Sequence, residues 1–430
     1  MWAAASRVPP ADQVGRRGRR RAGPGGRRRA GRLREVLLSG AVDSFGNALG
    51  WTVVLLIGTA RGGLGEASLY SAAMLGGVVL SAPVTGWLSR RLTGRWLLRG
   101  TATIEGLLRL VVLGGLVAGL PAPLVALAIG LMNVAAWTGY AGMRAEVSAV
   151  DSSPRSMTRY AVGIAGVEAA GTAVAALLPK TAAGYPSGFL LVAVFLAYVG
   201  SMVPTMATAR RARIAPLPGA PGNRLPGPGI PTTKVVRRAH SGVRLPSARL
   251  LIAGGAIMLV GAGPILLAVP VTEELHGSGW VAGAAIAFSL GTLLSTWAVD
   301  LVARLKLPAV LRWTMWGLGM LVGWIFAPAY APMVLIAQFM AGLSQTALEG
   351  DMDARVAEEA GDAAVTRDLA YSASVRALGG AISVRLLPMM VTASAIGTVA
   401  SGASLVLGAT ALVLWAGLST VPHLVRRLAH

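Results

Sequence analysis

Twelve apolar stretches, each about as long as a bilayer-spanning helix, follow one another along this chain with short polar breaks between them. A helix crosses the hydrocarbon core in about 20 residues, and backbone placed in lipid must satisfy its own hydrogen bonds. The stretches fall at 36–60, 68–89, 97–120, 122–143, 160–178 and 187–208, then at 250–271, 280–304, 308–327, 331–348, 369–392 and 396–421. The expected class is an all-α membrane protein. Charged residues make up 13% of the chain, about half of the roughly 25% of a soluble domain. The net charge is nevertheless +21. Its Lys and Arg sit in gaps between apolar runs, not on one folded polar face, so no nucleic-acid partner is expected.

Cytoplasmic segments of membrane proteins collect Lys and Arg. Alternating twelve spans with the first tail inside places nearly all of the 39 basic residues on one side: the Arg-rich tail, Arg90–Arg99, Arg144–Arg159, the central loop, Arg304–Arg312, Arg355, Arg367, Arg426 and Arg427. Only Arg61 and Lys180 fall opposite. The tail has no apolar core or cleavage-like site of a signal peptide, and its Gly and Arg content suits a disordered cytosolic segment. The location expected is a bacterial inner membrane, with both termini cytoplasmic.

The central gap is rich in Pro, Gly and Arg and reads as a linker. The expected organisation is a tail at 1–35, a six-helix bundle at 36–208, a linker at 209–249, a second bundle at 250–421 and a tail at 422–430. A repeat relates the halves. Met143-Arg-Ala-Glu-Val147 aligns with Met352-Asp-Ala-Arg-Val356, Gly171 with Gly379, and Leu177-Leu-Pro179 with Leu386-Leu-Pro388. Related halves put a substrate site between them near the bilayer midplane.

With this architecture the chain resembles the major facilitator superfamily. That family carries a Gly-x-x-x-Asp-Arg-x-Gly-Arg-Arg loop between helices 2 and 3. Here Gly86 and Arg91 match, Arg90 replaces the Asp, and Gly94 and Arg95 fit with one extra residue. The second copy, between helices 8 and 9, keeps Asp300 but has Thr296 for Gly. The Gly-Pro pair of antiporters is absent from helix 5. The resemblance implies two pseudo-symmetric six-helix bundles, a cavity lined by helices 1, 4 and 10 among others, and gating by Gly86, Arg91, Gly94, Arg95, Asp300 and Arg304.

An ionisable residue inside a bilayer is costly, about 2.5–3.5 kcal/mol at a helix centre, and so is a functional candidate. Asp43, Asn47 and Trp51 share one face of helix 1. Glu105 and Arg109 pair at i, i+4 on helix 3, which the resemblance assigns to the outer scaffold. Glu168 and Arg376 occupy repeat-related positions, where they can face each other, hold a charged substrate or couple a proton. The alternative is that each pairs within its own half. Arg385 is placed to snorkel outward. Asn133, Trp137, Tyr140 and Arg144 form a polar stripe on helix 4; Gln338, Gln345 and Glu349 form another on helix 10. The acids from Glu349 to Asp353 read as a solvated loop that reaches Arg144 or Arg155, with a Mg²⁺-holding enzyme site as the alternative. Gly46 and Gly50 mark close helix packing.

No cysteine is present, no His has a partner at metal-ligand spacing, and no Walker A pattern occurs, so neither cofactor nor metal is expected. The leading reading is a non-enzymatic secondary transporter working by alternating access. Its expected partners are a small-molecule substrate, a proton as coupling ion and the lipid bilayer, with efflux of a hydrophobic or amphiphilic compound as the direction. Import, a non-transporting sensor or scaffold that keeps the fold, and a membrane transferase are the alternatives. Single cysteines introduced near each end test the topology: an impermeant maleimide should reach both from the same face.

Overall fold

The computed structural model describes residues 24–150, 154–181, 186–212, 248–359 and 365–428. The expected tail up to residue 23 and nearly all of the linker lie outside the described residues. Among the described residues the chain is helical throughout, with an isolated bridge between Lys180 and Pro186.

The first two expected spans form one helix, α1 (Pro24–Arg91), kinked at Gly62 and Gly63. It begins at Pro24 and not at Val36. Gly63 has φ +60 and ψ −154, a conformation open only to glycine, so the chain reverses there without a loop. α2 (Gly94–Val117), α3 (Ala122–Val150) and α4 (Pro154–Leu177) are the next three spans. The sixth is interrupted: α5 (Phe189–Gly200) stops at Ser201 and α6 (Met202–Ala209) resumes. The seventh is likewise broken into α7 (Ala248–Gly261), α8 (Gly263–Leu266) and α9 (Ala268–His276). α10 (Ser278–Ala303), α11 (Ala309–Leu321), α12 (Pro332–Glu359), α13 (Val365–Met390) and α14 (Ile396–Leu428) complete the series. Outward faces remain apolar, as at Leu107, Leu196, Leu405 and Val413, which suits lipid contact in a multi-pass membrane protein.

Lipid offers no hydrophobic gain for bringing helices together, so close approach through small residues does that work. The glycines show it twice over. A Cβ on Gly171 of α4 would strike the carbonyl oxygen of Phe45 on α1, and one on Gly379 of α13 would strike that of Gly255 on α7. A Cβ on Gly77 would strike the Gly130 oxygen on α3, and one on Gly291 the Phe339 oxygen on α12. Gly63 and Gly277, both at positive φ, turn α1 back on itself and α9 into α10. Each pair occupies matching places in the two halves, so the repeat extends well beyond the segment legible in sequence.

Each half has its own core. Leu49, Val54, Ile57, Leu113 and Ile129 belong to the first; Leu267, Met320, Trp324, Val334 and Val384 belong to the second. The halves meet where Leu64, Ala72 and Leu75 of α1 pack on the second core and Val269 packs on the first. At the end bearing the Gly63 kink, called the far side here, Lys180 donates to Glu273 Oε1 at 2.7 Å and to Ser278 Oγ at 2.8 Å. Arg385 reaches Gly65 O and Ser68 Oγ of α1. At the opposite, tail-side end the pairs Arg32–Glu146 (2.8 Å), Arg312–Asp351 (2.8 Å) and Arg376–Asp353 (2.9 Å) each stay within one half.

Forcing a methyl into a closed seam costs about 1–3 kcal/mol. Gly171→Ala and Gly379→Ala should each lower the thermal unfolding temperature in detergent. Gly402→Ala and Gly408→Ala, which meet nothing within 4 Å, should leave it unchanged.

Candidate functional site

A cavity of about 290 Å³ opens inside the first half, walled by α1, α2, α3, α4 and α6. The local sequence explains its walls. On α1, Gly40, Asp43, Ser44 and Asn47 repeat at helical spacing and present one polar edge. Gly46 and Gly50 on the neighbouring edge have no room for a Cβ against Ser201 and Tyr198, so α1 lies tight on α5 and α6. On α3, Asn133, Trp137 and Tyr140 supply the opposite wall, the two rings meeting edge to face at 5.7 Å and 74°. Glu168 of α4 and Thr205 of α6 close it.

Arg109 is the electrostatic centre. Its side chain is 1% exposed. NH1 donates to Tyr198 O at 2.7 Å and Ser201 Oγ at 2.8 Å. NH2 donates to Asp43 Oδ1 at 2.8 Å and to the Glu105 carboxylate. The guanidinium also lies over the Tyr198 ring, 4.9 Å from its centroid. Asp43 keeps 24% of its side-chain surface accessible, and Glu168, which accepts a hydrogen bond from Ser44, is exposed. Two carboxylates thus face open space, while Glu105 and Arg109 stand behind them.

The helix 3 pair was expected on the outer scaffold. It sits in the cavity wall because α2 turns its Glu105 face inward onto α1 and α6. Trp51 packs against the first core and is not among the cavity-lining residues. Glu168 and Arg376 do not meet: Arg376 binds Asp353 and Ser372, both in the second half. Equal depth on repeat-related helices fixes height, not facing. Gln345 donates to Glu349 at 3.2 Å, and Gln338 is buried on α12; neither lines this cavity. The acids from Glu349 to Asp353 are not a loop, since α12 runs on to Glu359. Asp351 is gripped by Arg312 through two bonds of 3.0 and 2.8 Å. The side chains of Arg144 and Arg155 lie outside the described residues.

At the loop between the second and third spans, Arg91 stacks on Trp87 at 4.4 Å and Arg95 is exposed; Gly86 meets no neighbour, and Gly94 opens α2. Asp300 and Arg304 are exposed at the end of α10, and Asp300 makes no hydrogen bond or ion pair among the described residues. Sequence reasoning missed Tyr198, Ser201 and Ser44, whose signal was faint: hydroxyl-bearing residues at helical spacing from glycines. It also missed the Lys180–Glu273 bridge.

Residues in one ion-pair network couple by about 0.5–3 kcal/mol in a double-mutant cycle. Thermal unfolding should show Arg376 coupled to Asp353 and uncoupled from Glu168. Exchanging Arg376 with Asp353 should restore part of the stability lost by Arg376→Gln, whereas exchanging it with Glu168 should restore none.

No family model and no curated protein matches the chain. Among solved structures, the nucleoside transporter NupG aligns at TM-score 0.61 and 13% identity, over 89% of this chain and 99% of that one. The inward open xylose transporter XylE from E. coli aligns at 0.60 and 12%, over 87% and 95%. The human organic anion transporter MFSD10 aligns at 0.55 and 16%, over 87% and 98%. At these identities the likeness is one of architecture. Two related six-helix halves joined in this way make the chain a membrane protein with the major facilitator fold.

Proposed function

We propose that the chain is a secondary active transporter that moves a small molecule by alternating access, with protons as the coupling ion. The observation that carries this reading is the cavity around Arg109. Three carboxylates, Asp43, Glu105 and Glu168, line it with one guanidinium, leaving two negative charges uncompensated if all are ionised. An unpaired charge is expensive in so apolar a setting, so something that comes and goes must balance the excess. A proton does so, and so does a cationic part of the cargo. Exchange of one for the other links proton entry to cargo exit, which favours efflux. NupG, XylE and MFSD10, which share the fold, are transporters.

The contacts between the halves support the alternating part. The far side is latched by Lys180–Glu273 and Arg385–Ser68, the tail-side ion pairs stay within their halves, and between these levels Ser289 and Ser374 donate across to the Ala165 and Val79 carbonyls. This is the arrangement of a transporter open toward its tails, here assigned to the cytoplasm of a bacterial plasma membrane. Helix 10 residues Gln338 and Gln345 and the loop residues Arg91 and Arg95 belong, on this reading, to the moving surfaces and not to the charge-exchange site.

In proteoliposomes an imposed pH gradient should accelerate movement of an amphiphilic fluorescent dye. Asp43→Asn or Glu168→Gln should reduce that acceleration by about tenfold or more, equivalent to about 1.4 kcal/mol, while gradient-free dye exchange persists. Equal acceleration in empty liposomes, or in the doubly substituted protein, would remove the reading.

A further inference from the structure

We infer that the first-half cavity selects a hydrogen-bond-donating organic cation, a protonated amine carried on an apolar or aromatic body. The inference deepens the transport reading and rests on it for the role of the bound molecule as cargo.

The cavity's cationic donors and several of its neutral ones are consumed by the protein itself. Arg109 spends NH1 on Tyr198 and Ser201 and NH2 on Asp43 and Glu105. The Asn133 amide donates to Ile129 O at 2.9 Å, the Thr101 hydroxyl to Leu97 O at 2.9 Å, and Ser44 to Glu168. Arg109 Nε carries no partner, but with its side chain 1% exposed it is screened from an incoming molecule. Acceptor oxygen outweighs what is left: the second oxygen of Asp43, the Glu168 carboxylate and the Asn133 carbonyl stand against the neutral Asn47 amide and Trp137 indole N–H as donors. A ligand that only accepts hydrogen bonds would leave these oxygens unpaired in a desolvated site, a loss that rejects analogues strongly.

Charge points the same way. The two accessible groups are carboxylates, and the cavity's guanidinium has both terminal nitrogens engaged and its Nε screened, so an anion meets repulsion at the entrance. Trp137 and Tyr140 supply an aromatic wall on the facing helix, against which a cation is attracted by the ring quadrupole and an apolar body is desolvated. Among the described residues the acids do not form a metal-ligand group. Asp43 and Glu105 meet at one nitrogen of Arg109, which leaves Glu168 and the open side of Asp43 to face a ligand. The cavity, about 290 Å³, lies at the small end of ligand sites.

The test is equilibrium binding to the full-length protein in nanodiscs, followed by calorimetry, with phenethylammonium, phenethyl alcohol, phenylacetate and the trimethylammonium analogue as probes. Phenethylammonium should bind at least about tenfold more tightly than the alcohol, a factor set by one strong interaction. Phenylacetate should not compete, and the trimethylated cation, which keeps the charge but lacks donors, should fall in between. Glu168→Gln, which breaks no ion pair, and Asp43→Asn should each weaken the ammonium by about tenfold or more and leave the alcohol unaffected. Equal binding of alcohol and ammonium, tighter binding of phenylacetate, or no binding of any probe at millimolar concentration would overturn the inference. Flux separates the two readings. If the neutral alcohol is carried along a pH gradient, transport stands and the cation class falls. If the ammonium binds but never moves, the site stands and transport falls.

Discussion

A guanidinium held almost wholly out of solvent, at Arg109, dictates how the first half is put together. Removing an unpaired charge from water costs several kcal/mol even after the surroundings relax, so every element near it must offer an acceptor. α1 offers Asp43, α2 offers Glu105, and the break between α5 and α6 offers the Tyr198 carbonyl and the Ser201 hydroxyl. Four helical segments are thereby referred to one side chain. The glycines at 46 and 50 allow the approach, since a methyl at either would hold α1 away from Ser201 and Tyr198. A buried ion pair is a weak source of stability but a strong specifier of geometry here: the same atoms that neutralise Arg109 fix the cavity wall. Asp43 is shared between the two tasks, structural through one oxygen and open to the cavity through its accessible remainder.

The halves repeat one backbone plan and diverge in electrostatics. Matching glycines, Gly77 with Gly291 and Gly171 with Gly379, close equivalent seams. The charges do not match. In the second half Arg376 is balanced by Asp353 and Arg312 by Asp351. The first half keeps an acidic surplus around its cavity. A duplicated scaffold can afford this division, because seam geometry depends on small residues and not on polar ones. Side chains within one half can then specialise in chemistry while the other serves as the moving partner.

Hydropathy made the spans legible because each must bury about 20 residues' worth of backbone in lipid, and the resemblance supplied the architecture. Helix ends were less legible. Loss of hydropathy marks where a segment leaves the bilayer, not where its hydrogen bonding stops, which is why α12 continues through Glu349–Asp353 and α1 passes unbroken except at its two glycines. Rotation about the helix axis was least legible of all. Glu105 and Arg109 were evident as a pair, yet only tertiary contacts turn them toward Asp43. Glu168 and Arg376 were placed at one depth by the repeat, and their partners are nevertheless different. Gly63, Gly77, Gly277 and Gly291 could not be singled out in a chain with 56 glycines, because a seam glycine and an idle one look alike until the neighbouring carbonyl is known.

The contrast between the two ends of the bundle bears on how such a structure moves. A bridge between rocking bodies must be strong enough to hold one arrangement and weak enough to release it. Lys180 and Glu273 retain 15% and 24% of their side-chain surface, so water stands ready to replace each partner and the desolvation cost of the pair is only partly incurred. Arg385 contributes bonds of 3.3 and 3.4 Å to Ser68 and Gly65, long enough to be given up at little cost. The Arg109 network has the opposite character: enclosed, multiply bonded and confined to one half. Motion that separates the halves at the far side therefore breaks the inexpensive contacts and carries the expensive ones along intact. The cavity keeps its charge and shape while its access changes, which is what a site that must bind on one face of a membrane and release on the other requires.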